Sequence, residues 1–184
     1  PGRRPRAHPR RLQGIYLMRY RELSGRLTEV RARPASLEHV ERVHTPAHVR
    51  RILKTAEMRT SSLAPDTPVS AMTYMAAWLA AGACLQGVDE LMAGRCHRFF
   101  ALVRPPGHHA LPDRSSGFCV FNNLAVAAAY ALEQHPVRRI LIVDWDVHHG
   151  NGINDIFYQD DRVYYYSTHD PMLWPYSGQA RETG

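Results

Sequence analysis

Apolar and polar positions repeat with two different periods along this chain. Leu12, Ile15, Tyr16, Met18, Tyr20 and Leu23 recur at helical spacing over residues 10–24, which predicts a helix. Ser36 with His39 behind it opens a second helix through Val43. Thr45-Pro46 opens a third that runs to about Met58, with proline at the first helical position, where no backbone N–H is needed. Residues 60–68 (TSSLAPDTP) read as a loop, and residues 70–92 as a long helix. Its alanines permit close packing, and Gly82 and Gly87 are tolerated breaks. Residues 98–103 read as a strand, 104–117 as a long loop, and 119–134 as another Ala-rich helix entered through Asn122 and Asn123. The β-branched run 139–143 is a buried strand in this pattern, followed by a short helix at 153–158 and a strand at 163–167. Residues 168–184 are Pro/Gly/aromatic loop, and 1–9 are Pro/Arg-rich and expected to be poorly ordered. Strands alternating with helices predict an α/β fold, a parallel central sheet with helices on both faces.

Length and composition narrow the class. At 184 residues the chain is long enough for one domain with a real core and too short for two comfortable ones. Hydrophobic content of 45% with 22% charged residues is that of a globular protein rather than a disordered one. The net charge of +6 is concentrated at one end, in Arg3, Arg4, Arg6, Arg10 and Arg11. No aromatic residues interleave these arginines and no groove-binding motif accompanies them, so direct nucleic-acid binding is not expected. Cys84, Cys96 and Cys119 are odd in number and lack CxxC spacing, which predicts a reducing compartment, the cytoplasm, and no disulfide framework. No apolar segment follows the basic N-terminus, and residues 71–85 are too short to span a bilayer, so no signal peptide and no membrane association are expected.

The chemistry gathers at strand ends. In RILIVDWDVHHGNG, residues 139–152, Asp144, Asp146 and His148 are spaced by two. An extended backbone sends alternate side chains to one face, so the three can converge. Carboxylate and imidazole donors suit zinc or a similar divalent metal. The end of a strand, ahead of a helix, is where open α/β sheets place their sites. The second constellation, RPPGHH at 104–109, also follows an expected strand. Its prolines and glycine fix the backbone, and imidazole exchanges protons in both directions near neutrality.

RPPGHHA, GFCVFNN and IVDWDVHHGNG, in this order and at these separations, resemble the zinc-dependent histone deacetylase family and its bacterial relatives, the acetylpolyamine amidohydrolases among them. The resemblance extends to HPRRL at 8–12, VHTPAHV at 43–49 and YYYSTH at 164–169, and so covers nearly the whole chain. Asn151 in the last motif is similar to the class II type, where class I members carry Asp. By this resemblance the fold is the arginase/deacetylase one, and the activity is removal of an acetyl group from acetyl-lysine peptides or acetylated polyamines by metal-activated water. Asp146 and His148 are implied zinc ligands and His109 the general base and then acid. His108 is implied as its electrostatic partner, bonded to Asp144, and Asn151 as the residue orienting His109. Gly117, Phe118 and Trp174 match the walls of an acyl-lysine tunnel, and Asp66 a rim aspartate that holds the substrate backbone. A monovalent-cation site, for potassium, matches Asp144, Asp146, His148, Ser167 and Thr168.

The family's third zinc ligand and its transition-state tyrosine belong to later motifs that do not occur before Gly184, and the strand that precedes the HP motif is missing. The expectation is therefore a single partial domain over 1–184, about the first half, cut at both ends, inactive alone and open to oligomerisation. Two other classes stay open. One is a non-catalytic interaction module on the same fold. The other is a di-manganese ureohydrolase, whose motif wants an aspartate where this chain has Gly150.

Overall fold

The computed structural model describes residues 10–57 and 60–183. The arginine-rich segment 1–9 and Met58, the expected end of the third helix, lie outside them. The chain forms two compact units, Pro1–Arg31 and Ala32–Gly184. In the first, helix α1 spans Arg10–Glu22, with Ile15, Tyr16, Leu17, Met18 and Tyr20 exposed. Arg19 turns back to pair with Glu29 at 2.6 Å.

The second unit carries the core. Helix α2, Leu37–Glu41, starts where the Ser36 side chain accepts the His39 N–H, and α3, Pro46–Leu53, where Thr45 does the same for His48. These caps supply acceptors to amides that a first helical turn leaves without partners. A turn of 3₁₀ helix, Lys54–Glu57, ends α3 earlier than the sequence pattern suggests. The expected loop at 60–68 is instead a hairpin, β1 (Thr60–Ala64) antiparallel to β2 (Thr67–Ser70). Its polar residues hide the strand signal, and the pairing is completed by the Ser62 hydroxyl, which donates to the carbonyls of Ala64 and Thr67.

Helix α4, Thr73–Met92, and helix α5, Asn123–Gln134, pack against each other. The small residues Ala77, Ala80, Ala81, Ala125, Ala127 and Ala128 are all buried, with Trp78 set edge-on against Phe121 at 4.7 Å between ring centroids. Close approach of the helices follows from these small side chains, and the two aromatics fill the space left beside them.

Strands β3 (Ile140–Asp144) and β4 (Val163–Ser167) run parallel, joined through helix α6 (Asn151–Phe157). Register sets Ile142 against Tyr165 and Asp144 against Ser167. One face of the pair sends Ile142 and Val163 into the core; the other carries exposed Leu141, Val143, Tyr164 and Tyr166. The β3 sequence reads as uniformly apolar, yet only alternate residues are covered, because side chains of a strand point to opposite faces. Residues 98–103 are not a strand among the described residues. A strand exists only with a ladder partner, and neither strand pair extends to this segment. No described helix is long and apolar enough to cross a membrane.

His44 and His48 lock α2 and α3 to the long loop. The His44 Nδ1–H donates to the Leu111 carbonyl and its Nε2 accepts the Asn122 N–H, both at 2.9 Å. His48 donates from Nε2 to the Val120 carbonyl at 3.0 Å. Burial first, and then the neighbouring His48, push the His44 pKa down to about 4, against the raising effect of the Leu111 and Pro112 carbonyls. A group whose folded pKa lies below its unfolded value of 6.5 takes up its proton first in the unfolded chain. Its contribution is thus fully present above pH 6.5 and is lost as pH falls through 4. Denaturant unfolding at pH 7 and pH 5 should show stability dropping by up to about 1.4 kcal/mol per pH unit for each such histidine. His44→Gln should flatten that dependence while lowering stability at pH 7.

Candidate active site

The strand expected to carry three convergent ligands ends at the first of them, Asp144, with Asp146 and His148 beyond it. After Asp144 the backbone leaves the ladder and bends. The Asp146 N–H donates to Asp144 Oδ1 at 3.1 Å, and the His148 N–H donates to Asp146 Oδ1 at 2.8 Å. Each aspartate thus accepts the amide two residues on, a local turn that competes with extension. Trp145 and Val147 are exposed, and Asp146 between them is also exposed, so the burial alternation of the strand does not continue through the bend. His148 Nδ1 lies 2.9 Å from Asp146 Oδ1, which places a carboxylate and an imidazole side by side. Asp146 is drawn below the usual carboxylate range: burial raises its pKa, but the His148 amide and ring more than offset that.

His108 and His109 stand in the loop before the Gly117 turn, their rings 3.9 Å apart. The Asp144 Oδ2 atom faces His108 Nδ1 at 2.9 Å, and the Asn151 Oδ1 atom faces His109 Nδ1 at the same distance. An amide oxygen only accepts, so His109 carries its proton on Nδ1 and presents a bare Nε2. Burial, then the charges of the neighbouring histidines, lower the His109 pKa to about 4, against the bond to Asn151. At neutral pH this imidazole is uncharged, as a proton acceptor must be. Asp144 is held below its ordinary value although burial works the other way, because His108, the Asp146 amide and Tyr165 all donate to it. The carbonyl of His108 also accepts the N–H of Gly152 at 2.9 Å, tying the histidine loop to the first turn of α6.

The GF pair of GFCVFNN is a tight turn. Ser116 and Cys119 exchange both backbone bonds, at 3.2 and 2.8 Å, and Gly117 and Phe118 have φ of +57° and +66°. Two successive positive φ values are those of a type I′ turn, and for a phenylalanine the conformation costs roughly 1–2 kcal/mol. Asp66 and Thr67 hold it in place. The Gly117 N–H donates to the Asp66 carboxylate at 3.1 Å, and the Phe118 N–H to Thr67 Oγ1 at 3.1 Å. A side chain at Gly117 would overlap the His109 ring and Trp174. The Trp174 ring lies edge-on to His109 at 4.6 Å, so Gly117, Trp174 and His109 line one place, with Phe118 next to Gly117 in the same turn. Asp66, read from the sequence as a rim residue, has its carboxylate turned to this loop.

Ser167 and Thr168 lie beside Asp144 at the end of the β3–β4 ladder. The Thr168 N–H donates to the Asp144 carbonyl at 3.0 Å, and Ser167 Oγ pairs with His169 Nδ1 at 2.8 Å. Two further residues were not singled out from the sequence. Tyr165 places its hydroxyl 2.9 Å from Asp144 Oδ2 and accepts the Gly150 N–H at 2.9 Å. His149, buried, pairs through Nδ1 with Ser177 Oγ at 2.8 Å and so anchors the loop that carries Trp174. The alternation of β4, which puts Tyr165 on the face of Ser167, is the signal that could have found the first; nothing local marks the second. Among the described residues no third His, Cys, Asp or Glu joins Asp146 and His148 in a cluster able to hold a metal.

The histone deacetylase domain model matches residues 5–184. The chain belongs to the histone deacetylase domain family. It is 41% identical over 158 residues to the histone deacetylase-like amidohydrolase of Pseudomonas aeruginosa, covering 85% of this chain and 42% of that protein. To human polyamine deacetylase HDAC10 it is 43% identical over 168 residues, covering 86% of this chain and 25% of that protein. The crystal structure of the HDA15 HD domain superposes with a TM-score of 0.96 at 38% identity, over 100% of this chain and 53% of that one. The fold is therefore the α/β deacetylase fold that the motifs imply, and the chain spans about half or less of the length of these relatives.

The Asp66–Gly117 contact gives a stability prediction. Asp66→Ala leaves the buried Gly117 amide without an acceptor and should cost about 1–3 kcal/mol, measured by urea denaturation. Asp66→Asn, which keeps one acceptor oxygen, should recover most of it.

Proposed function

We propose that this domain is the histidine-bearing part of a zinc-dependent amidohydrolase that removes an acetyl group from an N-acetylated amine, a lysine peptide or a polyamine. The observation that carries this reading is the division of labour between two neighbouring histidines. His108 faces the Asp144 carboxylate, and His109 faces an amide oxygen that leaves its Nε2 free. Family membership supports the same class, and the relatives named for deacetylation of polyamines supply one substrate type.

Asp146 and His148 fit zinc as two of its donors. They are adjacent, partly exposed and of the oxygen and nitrogen type that zinc accepts. A catalytic zinc site uses about three protein ligands, and this chain's described residues provide these two. When bound, zinc supplies Lewis acidity toward the amide carbonyl and the attacking water. The chain's own residues do the rest. His109 takes the proton of the attacking water at Nε2 and returns it to the leaving amine. Asn151 fixes the tautomer that allows this, and His108, paired with Asp144, offsets charge as it develops. Gly117, Phe118 and Trp174 hold the apolar stem of the acylated amine against His109, and Asp66 sets the position of the first two. Asp144, Asp146, His148, Ser167 and Thr168, gathered where the two strands end, are the candidate ligands of a potassium ion. Three free cysteines accord with a cytoplasmic location.

In the zinc-loaded protein of the length that is active, Asp146→Ala and His148→Ala should each abolish stoichiometric zinc by elemental analysis. Full retention in either variant would remove that residue from the ligand set. His109→Ala should keep zinc and lower kcat by roughly 10²–10⁴ on an acetyl-lysine peptide, with His108→Ala the milder change; the opposite order would reverse the two roles. The 184-residue polypeptide assayed alone with added zinc should show little turnover beside its His109→Ala control, because two protein donors hold the metal weakly.

A further inference from the structure

Tyr165 sits where the two histidine pairs meet. Its hydroxyl donates to Asp144 Oδ2 at 2.9 Å, the same oxygen that faces His108, and accepts the Gly150 N–H at 2.9 Å. Gly150 is the residue from which α6 begins, and the next residue, Asn151, orients His109. One hydroxyl therefore joins the carboxylate behind His108 to the turn behind His109. Three further observations show that the contact is built. A Cβ added at Gly150 would overlap both the Tyr165 hydroxyl and Asp144 Oδ2. The tyrosine is brought there by ladder register, two residues from Ser167, which pairs with Asp144. The Asp144 Oδ1 atom is already engaged by the Asp146 N–H, so without the hydroxyl Oδ2 would be left with His108 as its one hydrogen-bonding partner here.

We propose that Tyr165 is a positioning residue for the hydrolytic reaction, bridging Asp144 to the Gly150 amide and so setting the two histidine rings at one fixed spacing. It touches no substrate and gives up no proton. Without the hydroxyl, Asp144 Oδ2 would bond to the His108 ring alone and could shift with it; with the hydroxyl of a strand residue as its second donor that oxygen is fixed, and the His108 ring follows the oxygen it is bonded to. The turn at Gly150 is fixed by the same atom, so the His109 ring cannot drift independently. Geometric precision of this kind acts on the transition state, where misplacement by a fraction of an ångström is felt, and leaves substrate affinity alone.

The inference rests on the reading of His108 and His109 as the proton-handling pair, and the test keeps the two apart. Tyr165→Phe is compared in the zinc-loaded active protein with wild type, with His109→Ala and with Tyr164→Phe, an exposed tyrosine on the same strand. Tyr165→Phe should lower kcat by roughly tenfold, the loss expected for one hydrogen bond to a charged group. KM should stay within about twofold, zinc content should be unchanged, and Tyr164→Phe should match wild type. In ¹⁵N-histidine spectra the ring signals of His108 and His109 should both shift in Tyr165→Phe while those of His44 stay in place. Unchanged kcat, a rise in KM with kcat intact, or a shift confined to His108 would each overturn the bridge. Loss of activity in His109→Ala alongside a normal Tyr165→Phe would overturn it and leave the proposed function standing. Full activity in His109→Ala would instead sink the proposed function. Should Tyr165→Phe fail to fold, Gly150→Ala decides, since its methyl displaces the same bridge: it should reproduce the kcat loss at constant KM, and normal kcat there would overturn the inference.

Discussion

The Asp144 carboxylate is the constraint on which the site depends. It is partly buried at the end of β3, where water cannot satisfy all of its lone pairs, and a charge so placed must be surrounded by donors. The structure supplies them from three parts of the chain: His108 from the loop before α5, Tyr165 from β4 and the amide of Asp146 from the bend that follows. Meeting the needs of one anion thus draws a histidine, a strand and a turn to the same point. The metal-donor pair and Asn151 follow within seven residues of Asp144, and their placement is inherited from it.

A second constraint lies on the other side of His109. Gly117 and Phe118 are held in a backbone conformation that Phe118 adopts at a cost, and the hairpin residues Asp66 and Thr67 offset that cost by accepting both of the turn's amides. The turn then presses Gly117 against the His109 ring, where there is no room for a Cβ. His149 holds Ser177 and with it the loop of Trp174. The places of Gly117, Phe118 and the Trp174 loop are therefore set by polar contacts.

Helices that announce themselves by local chemistry were legible. Ser36 and Thr45 cap the helices that follow them, and Asn122 caps α5 with its side chain on the Ala125 amide. The β3–α6–β4 unit was legible from its apolar runs. The hairpin at β1–β2 was not, since Thr60, Ser61 and Ser62 carry no apolar alternation. The segment 98–103 misled in the other direction: its residues have strand character, but pairing is a property of two segments and the sequence of one cannot supply it.

By itself the sequence determined which donors exist and where along the chain they cluster: two histidines after PPG, and two aspartates and a histidine at a strand end. Residue identity and spacing suffice for that, because local backbone geometry fixes neighbours a few residues apart. The pairings of His108 with Asp144 and of His109 with Asn151 came from the resemblance to a family and are seen in the structure, whereas only the tertiary structure decided that Asp66 turns to Gly117 and that Tyr165 joins Asp144 to Gly150. Those pairings span 15 to 51 residues of chain for Gly150–Tyr165, His108–Asp144, His109–Asn151 and Asp66–Gly117. They arise from ladder register, from the path of a loop across a helix N-terminus, and from the rule that a buried polar atom must find a partner, none of which is written in any one segment.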